Sequence, residues 1–341
     1  MLAGTRTAEQ VVLRHDEGLD LDLRLGTRAT ALDLRARELT LDDGERLAFD
    51  GLVLATGAAP RMLPGTPKLD GIHVLRTLDD CLALRQAFES QPHVVVIGAG
   101  FIGSEVASTA RQLGLPATVL EALPVPLERA IGAEMGMICA ALHGRAGTDL
   151  RLGVGVSGFL GTQKVEAVLL VDGSRIEAEV VVVGVGVAPA TEWLAGSGLT
   201  IDNGVVCDDR CRAIGGDGRV VAAGDVARWH NPRFGGDMRV EHWTNAVEMG
   251  QAAAHSLLHG DAAPPFAPVP YFWSDQYGKK IQYVGHAGPG DEVRVVEGSV
   301  DDGKFVAAYH RAGRLTGALI LGWPARMVAY QTMIAEGAPL P

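Results

Sequence analysis

Residues 94–107, VVVIGAGFIGSEVA, join an apolar strand to three glycines at the spacing that a bound dinucleotide requires. In such a turn Gly98 permits the tight bend, Gly100 lets the backbone approach a pyrophosphate, and Gly103 lets the helix pack closely on the strand. The phosphates then rest on free N–H groups at the helix start, around Phe101 and Ile102, where the helix dipole favours negative charge. Glu121, about twenty residues on, sits where a carboxylate accepts hydrogen bonds from an adenosine ribose 2′-hydroxyl and repels a 2′-phosphate. That favours NADH over NADPH; the plainer alternative is a solvated acid at a strand end. Glu105 reads either as a helix-surface acid in the first turn or as a group near the nicotinamide.

Two other small-residue turns suit a second, bulky cofactor. LATG (Leu54–Gly57) ends an apolar strand, so Thr56 and Gly57 offer close backbone packing. VVAAGD (Val220–Asp225) ends another, with Gly224 and Asp225 placed so that the carboxylate binds a polyol such as the ribityl chain of a flavin. Taken singly, Asp225 is an ordinary turn residue or helix cap. Taken in order around the nucleotide fingerprint, the two turns point to FAD. The four cysteines, Cys81, Cys139, Cys207 and Cys211, contain no C-x-x-C pair and no zinc-ligand spacing. They read as packing residues, which removes support for disulfide or peroxide chemistry, and no acid–base constellation stands out.

These turns must be held by a protein of two or three domains, as 341 residues with 47% hydrophobic and 21% charged side chains imply. There is no apolar run long enough for a membrane span and no signal-peptide pattern at residue 1, so a cytoplasmic location is expected. A net charge of −11 argues against nucleic acid as partner. It also means that an acidic protein partner would need a local basic patch.

Periodicity predicts strands in DLDLRLG (20–26), ATALDLRARELTL and ERLAFDGLVLATG, with a hairpin turn at Asp42-Asp43-Gly44. A helix is expected over 77–90. From residue 93 the order becomes strand (93–97), helix (101–113), strand (116–121) and helix (132–145), a βαβ pattern that implies a parallel sheet. Short strands follow near 149–153, 164–171 and 174–177, and the run Glu179–Val187 reads as one buried strand. A helix over 244–259 is expected to be capped by Thr244. After the prolines at 264–268 come KKIQYVGH, DEVRVVEG, KFVAAYHR and GRLTGALIL as strands and a closing helix over Pro324–Glu336.

The segments LAGTRTAE, LATGAAPR, VLRTLDD, VVVIGAGFIGSEVA, GVGVAP, AAGDVARW, VEHWTNAVEMGQAAA and YFWSDQYGKKIQYVG together closely resemble the NADH-dependent ferredoxin reductases, including the putidaredoxin, rubredoxin and aromatic-dioxygenase ferredoxin reductases. The resemblance covers nearly the whole chain. It implies a pyridine nucleotide-disulfide oxidoreductase fold of the α/β class: two Rossmann-like nucleotide-binding domains, the first N-terminally truncated, plus a C-terminal α+β domain. The expected boundaries are 1–90 and 207–265 for the FAD-binding domain, 91–206 for the NAD-binding domain and 266–341 for the C-terminal domain. It further implies FAD and NADH as cofactors and an iron–sulfur ferredoxin or rubredoxin, feeding an oxygenase, as electron acceptor. Carried over residue by residue, Ala29 would contact the flavin adenosine side and Arg76 an FAD phosphate, while Asp225 would hold the ribityl chain. Trp243 and Trp273 would lie near the two ends of the flavin ring system, and Gly184 and Gly186 would flank the nicotinamide. The chain departs from the family at Ala190, where asparagine is usual, and at its start, because a family member carries a further FAD-binding βαβ unit before LAGTRTAE. Met1 is therefore expected to lie inside a longer natural protein; the alternative is a non-catalytic NADH-binding fragment without flavin.

Overall fold

The computed structural model describes residues 1–13, 18–288 and 290–341. Its centre is a five-stranded sheet, every pairing parallel, in the order Ile72–His73, Val180–Val183, Val94–Ile97, Ala117–Glu121, Asp149–Leu152. Val94–Ile97 and Val180–Val183 are buried at every position, as continuous apolar strands covered on both faces should be. One face packs on the helices Leu78–Phe88 and Phe101–Gln112, through Leu84, Phe88, Val106 and Ala110. The other face packs on an antiparallel three-stranded sheet, Val156–Gly161, Val165–Leu170 and Arg175–Glu177. The helix at Leu78 starts on a reciprocal cap: Thr77 Oγ1 accepts from the Asp80 N–H and the Asp80 carboxylate accepts from the Thr77 N–H.

A second core gathers around the fully buried Trp229, with Leu54, Val220–Ala222 and Met249. Here Leu52–Leu54 runs parallel to Val220–Ala222, so the LATG and AAGD turns leave the same end of one strand pair. The antiparallel ladder Ala58–Pro60 with Val187–Pro189 joins this unit to the five-stranded sheet. The C-terminal part is a five-stranded antiparallel sheet ordered Tyr271–Gln276, Lys279–Gly285, Arg314–Leu321, Lys304–Arg311, Glu292–Ser299. Helix Met327–Ala335 covers one of its faces. Ile131, Met135, Cys139 and Leu142 of the helix Glu128–Arg145 cover the other. Among the described residues no helix is long and apolar enough to cross a membrane.

Several local expectations change. DLDLRLG forms no strand; Leu19, Leu21, Leu23 and Leu25 are all more than half exposed. Alternation sets which residues share a face, but a strand also needs a ladder partner, and the first such pairing begins at Ala29. The ERLAFDGLVLATG run splits into Arg46–Ala48 and Leu52–Leu54, whereas the Asp42–Gly44 hairpin turn forms as expected. Glu179–Val187 is two strands in different sheets, because Gly186, at φ +95°, turns the chain between them. The helix expected from 132 starts at Glu128 and is broken at Gly132 (φ 75°, ψ 165°), which frees the Ile131 carbonyl to accept from Tyr309 Oη at 2.6 Å. Thr244 is not a cap: the helix begins at Trp243, and Thr244 Oγ1 donates instead to the Tyr271 carbonyl at 2.6 Å.

Candidate functional site

The fingerprint turn is built as its glycines require. A Cβ on Gly98 would overlap the Gly184 carbonyl, and one on Gly103 would overlap the Gly98 carbonyl. Strand, turn and helix therefore touch backbone to backbone. Gly100 differs: an added Cβ would meet nothing within 4 Å, so its space opens outward at the N-terminus of Phe101–Gln112. That is the cradle a pyrophosphate fills. Glu121 is fixed beside it, Oε2 accepting from the Ala99 N–H at 2.8 Å and Oε1 from the Leu123 N–H at 2.9 Å.

In front of the turn lies a cavity of about 370 Å³. Its walls bring together Gly100, Phe101, Ile102 and Glu105 from the nucleotide helix, Gly184 and Gly186 from the neighbouring strand end, and Trp243 and Trp273 from distant segments. Trp243 is 60% exposed and Trp273 40%, their ring centroids 6.4 Å apart. Two large apolar surfaces left bare beside a cavity suit a flat aromatic ligand.

Beyond Leu75, which also lines the cavity, stands a polar cluster. Arg76 pairs with Asp225 at 3.0 Å across 149 positions of sequence. Gly57 (φ +68°) has only 3.0 Å between an ideal Cβ and Arg76 Nη2, and Gly224 (φ +73°) starts the turn that carries Asp225. Thr56 Oγ1 donates to the Ala190 carbonyl at 3.0 Å. Ala29 stands apart, paired with Leu41 in the hairpin sheet. These residues fit the ribityl and ring portions of a flavin: small turns, one carboxylate and exposed aromatics around a shared opening. Among the described residues the glycine cradle at 98–103 is the pyrophosphate site the geometry supports.

Electrostatics sharpen the picture. Burial raises the Glu105 carboxyl above the ordinary range, opposed by hydrogen bonds from Ser274 and the Asp275 backbone. Burial pushes His242 down to about 4, against the pull of Asp225, so its imidazole is neutral near pH 7. Burial also pushes the Cys139 and Cys207 thiols up to about 12, which fits their packing role.

Sequence reasoning passed over several lining residues. Tyr271, Phe272, Glu241 and His242 line the cavity and lie inside the EHW and YFW segments already singled out. Strand alternation in YFWSDQ was the available signal. Arg61, Arg129 and Arg239 line an adjoining cavity of about 920 Å³ that shares Phe101, Gly186 and His242 with the first. No local pattern marked them.

Comparison with known proteins agrees with this arrangement. The family profile "Pyridine nucleotide-disulphide oxidoreductase" matches residues 3–250, and "Reductase C-terminal" matches 271–341. Putidaredoxin reductase CamA of Pseudomonas putida is 34% identical over 349 residues, covering 99% of this chain and 82% of that one. The ferredoxin–NAD(+) reductase component of the anthranilate 1,2-dioxygenase system of Burkholderia cepacia is 37% identical, covering 93% of this chain and 77% of that one. Among solved structures, the covalent putidaredoxin reductase–putidaredoxin complex superposes with a TM-score of 0.93 at 33% identity, covering 99% of this chain and 82% of that one.

Proposed function

The chain belongs to the pyridine nucleotide-disulphide oxidoreductase family, and from that premise we propose that it carries electrons from NADH through FAD to a small iron–sulfur protein of the ferredoxin type that feeds an oxygenase. Relatives of 34–37% identity bear the names of such reductases. The observation that carries the reading is the single cavity shared by the fingerprint helix, the Gly184–Gly186 strand end and the two bare tryptophans.

What FAD supplies when bound is acceptance of a hydride and release of electrons singly; the protein binds, orients and tunes. In this reading Gly98, Gly100 and Gly103 with the N–H groups at Phe101 and Ile102 hold the NADH pyrophosphate, and Glu121 takes the adenosine ribose. Glu105, Gly184 and Gly186 face the nicotinamide end. Trp243 and Trp273 bound the flavin ring, Asp225 with Gly224 takes the ribityl chain, Thr56 and Gly57 pack against it, and Arg76 turns from Asp225 toward phosphate. Ala29 offers its backbone at the adenosine end. The walls exclude water from the hydride path, and no side chain is asked to move a proton. The buried thiols of Cys139, Cys207 and Cys211 take no part.

The experiment is spectroscopic. Purified protein should show the visible absorbance of bound flavin, bleach on anaerobic addition of NADH, and recover on addition of an oxidised ferredoxin. A colourless protein that cannot be loaded with FAD yet still binds NADH would replace this reading with nucleotide binding alone.

A further inference from the structure

The nucleotide helix is clamped along one side by the first strand of the C-terminal sheet. Phe101 packs edge-on against Phe272 with ring centroids 4.6 Å apart, Glu105 Oε1 accepts from Ser274 Oγ at 2.5 Å, and Ser108 Oγ accepts from the Tyr277 N–H at 2.7 Å. Positions 101, 105 and 108 share one helix face, and 272 and 274 share one strand face, so the two elements lie in register along their contact. The last contact is braced from behind, where Tyr277 Oη hydrogen-bonds His143 Nδ1 at 2.8 Å and Thr148 Oγ1 at 3.1 Å.

Ser274 is the informative member. It is fully buried and is not on the cavity wall, so it cannot touch a ligand. Its hydroxyl has one proton to give. Gln276 Nε2 donates into the oxygen at 3.0 Å, and the proton is directed at Glu105. The result is a one-way chain of donors ending on a carboxylate that lines the cavity opposite Trp243 and beside Trp273.

We propose that Ser274 is a positioning residue for nicotinamide binding: oriented by Gln276, it holds the Glu105 carboxylate as an acceptor for the carboxamide N–H of the nucleotide. The inference rests on the proposed placement of Glu105 at the nicotinamide end. Other charged groups around Glu105 are Asp275, which disfavours its ionisation, and Lys280, which favours it, with Glu241 and His242 across the cavity. Burial raises the Glu105 carboxyl and the Ser274 hydrogen bond lowers it. Removing the hydroxyl therefore moves the acid limb of nucleotide affinity to higher pH.

The test is calorimetric titration of the flavin-loaded full chain with NAD+, which binds without reacting, across the acid side of neutrality. Ser274→Ala should weaken binding about tenfold near neutral pH and shift the acid limb upward, and Ser274→Thr should restore both. Should Ser274→Ala not fold, Gln276→Met frees the hydroxyl to rotate and should shift the limb in the same direction. Glu105→Gln separates the two ideas. If it leaves NAD+ affinity unchanged, the nicotinamide role of Glu105 fails and the proposal falls with it. If it weakens binding while Ser274→Ala or Gln276→Met leaves affinity and limb unmoved, the proposal alone is overturned. Equal weakening at every pH without rescue by threonine also overturns it, in favour of packing.

Discussion

Alanine at Gly100 and alanine at Gly103 add the same methyl group to the same turn, and the structure assigns them opposite consequences. Gly100 has φ −72° and ψ −179°, which any residue adopts, and its added Cβ meets no atom within 4 Å. Gly100→Ala should therefore fold normally. Reduced freedom of the unfolded chain contributes about 0.4–1 kcal/mol in its favour. The new methyl stands where the pyrophosphate must approach, so binding loses at least one charge-assisted N–H contact. Such a contact is worth about 1.5–3 kcal/mol, roughly a ten- to hundredfold rise in Kd. Gly103→Ala instead drives Cβ into the Gly98 carbonyl, and overpacking of this kind costs about 1–3 kcal/mol. Its thermal midpoint should fall by a few degrees whether or not nucleotide is present. Thermal unfolding and NAD+ titration on both variants read the two effects separately. A Gly100→Ala protein that melts like the parent and binds NAD+ equally well would refute the placement of the pyrophosphate. A Gly103→Ala protein of unchanged stability would refute the close-packing argument.

Glu121→Gln keeps an acceptor but removes the charge, and should narrow the preference for NADH over NADPH by about tenfold, near 1.4 kcal/mol, in parallel titrations with the two cofactors. Thr77→Ala removes the capping box beneath Arg76 and should cost about 1 kcal/mol of stability in urea unfolding. Stability should also fall with acid. Burial holds His143 near 4 in the folded protein against 6.5 for an ordinary histidine, so the unfolded chain binds the extra proton between those values. The loss begins as pH drops through about 6.5 and is complete near 4, approaching 3 kcal/mol. His143→Asn should flatten that part of the profile, and urea midpoints at pH 7 and pH 5 measure it.

What could be read without coordinates was local. Gly98, Gly100, Gly103 and Glu121 announce themselves because their spacing is itself the mechanism, and the parallel sheet follows from the βαβ order. The pairing of Arg76 with Asp225 was illegible, since both residues have ordinary solo readings and only the parallel contact of Leu52–Leu54 with Val220–Ala222 sets their turns side by side. The leucines at 19, 21, 23 and 25 show the opposite failure: a clean period of two, with no ladder to join. Ser274 lay inside a quoted segment, but its inward direction becomes meaningful only once Glu105 is known to face it.

The short ladder between Ala58–Pro60 and Val187–Pro189 has a mechanical corollary. Both crossings of the chain between the Trp229 unit and the five-stranded sheet run through it. Gly57 and Gly186, both at positive φ, stand at its two ends, and the Arg61–Gly186 and Ala190–Gly57 backbone hydrogen bonds pin it. Any swivel of the nucleotide unit must therefore twist this ribbon. Because the C-terminal sheet is fastened to the nucleotide helix, it would travel with that unit, carrying Trp273 away from Trp243 and widening the slot from one side.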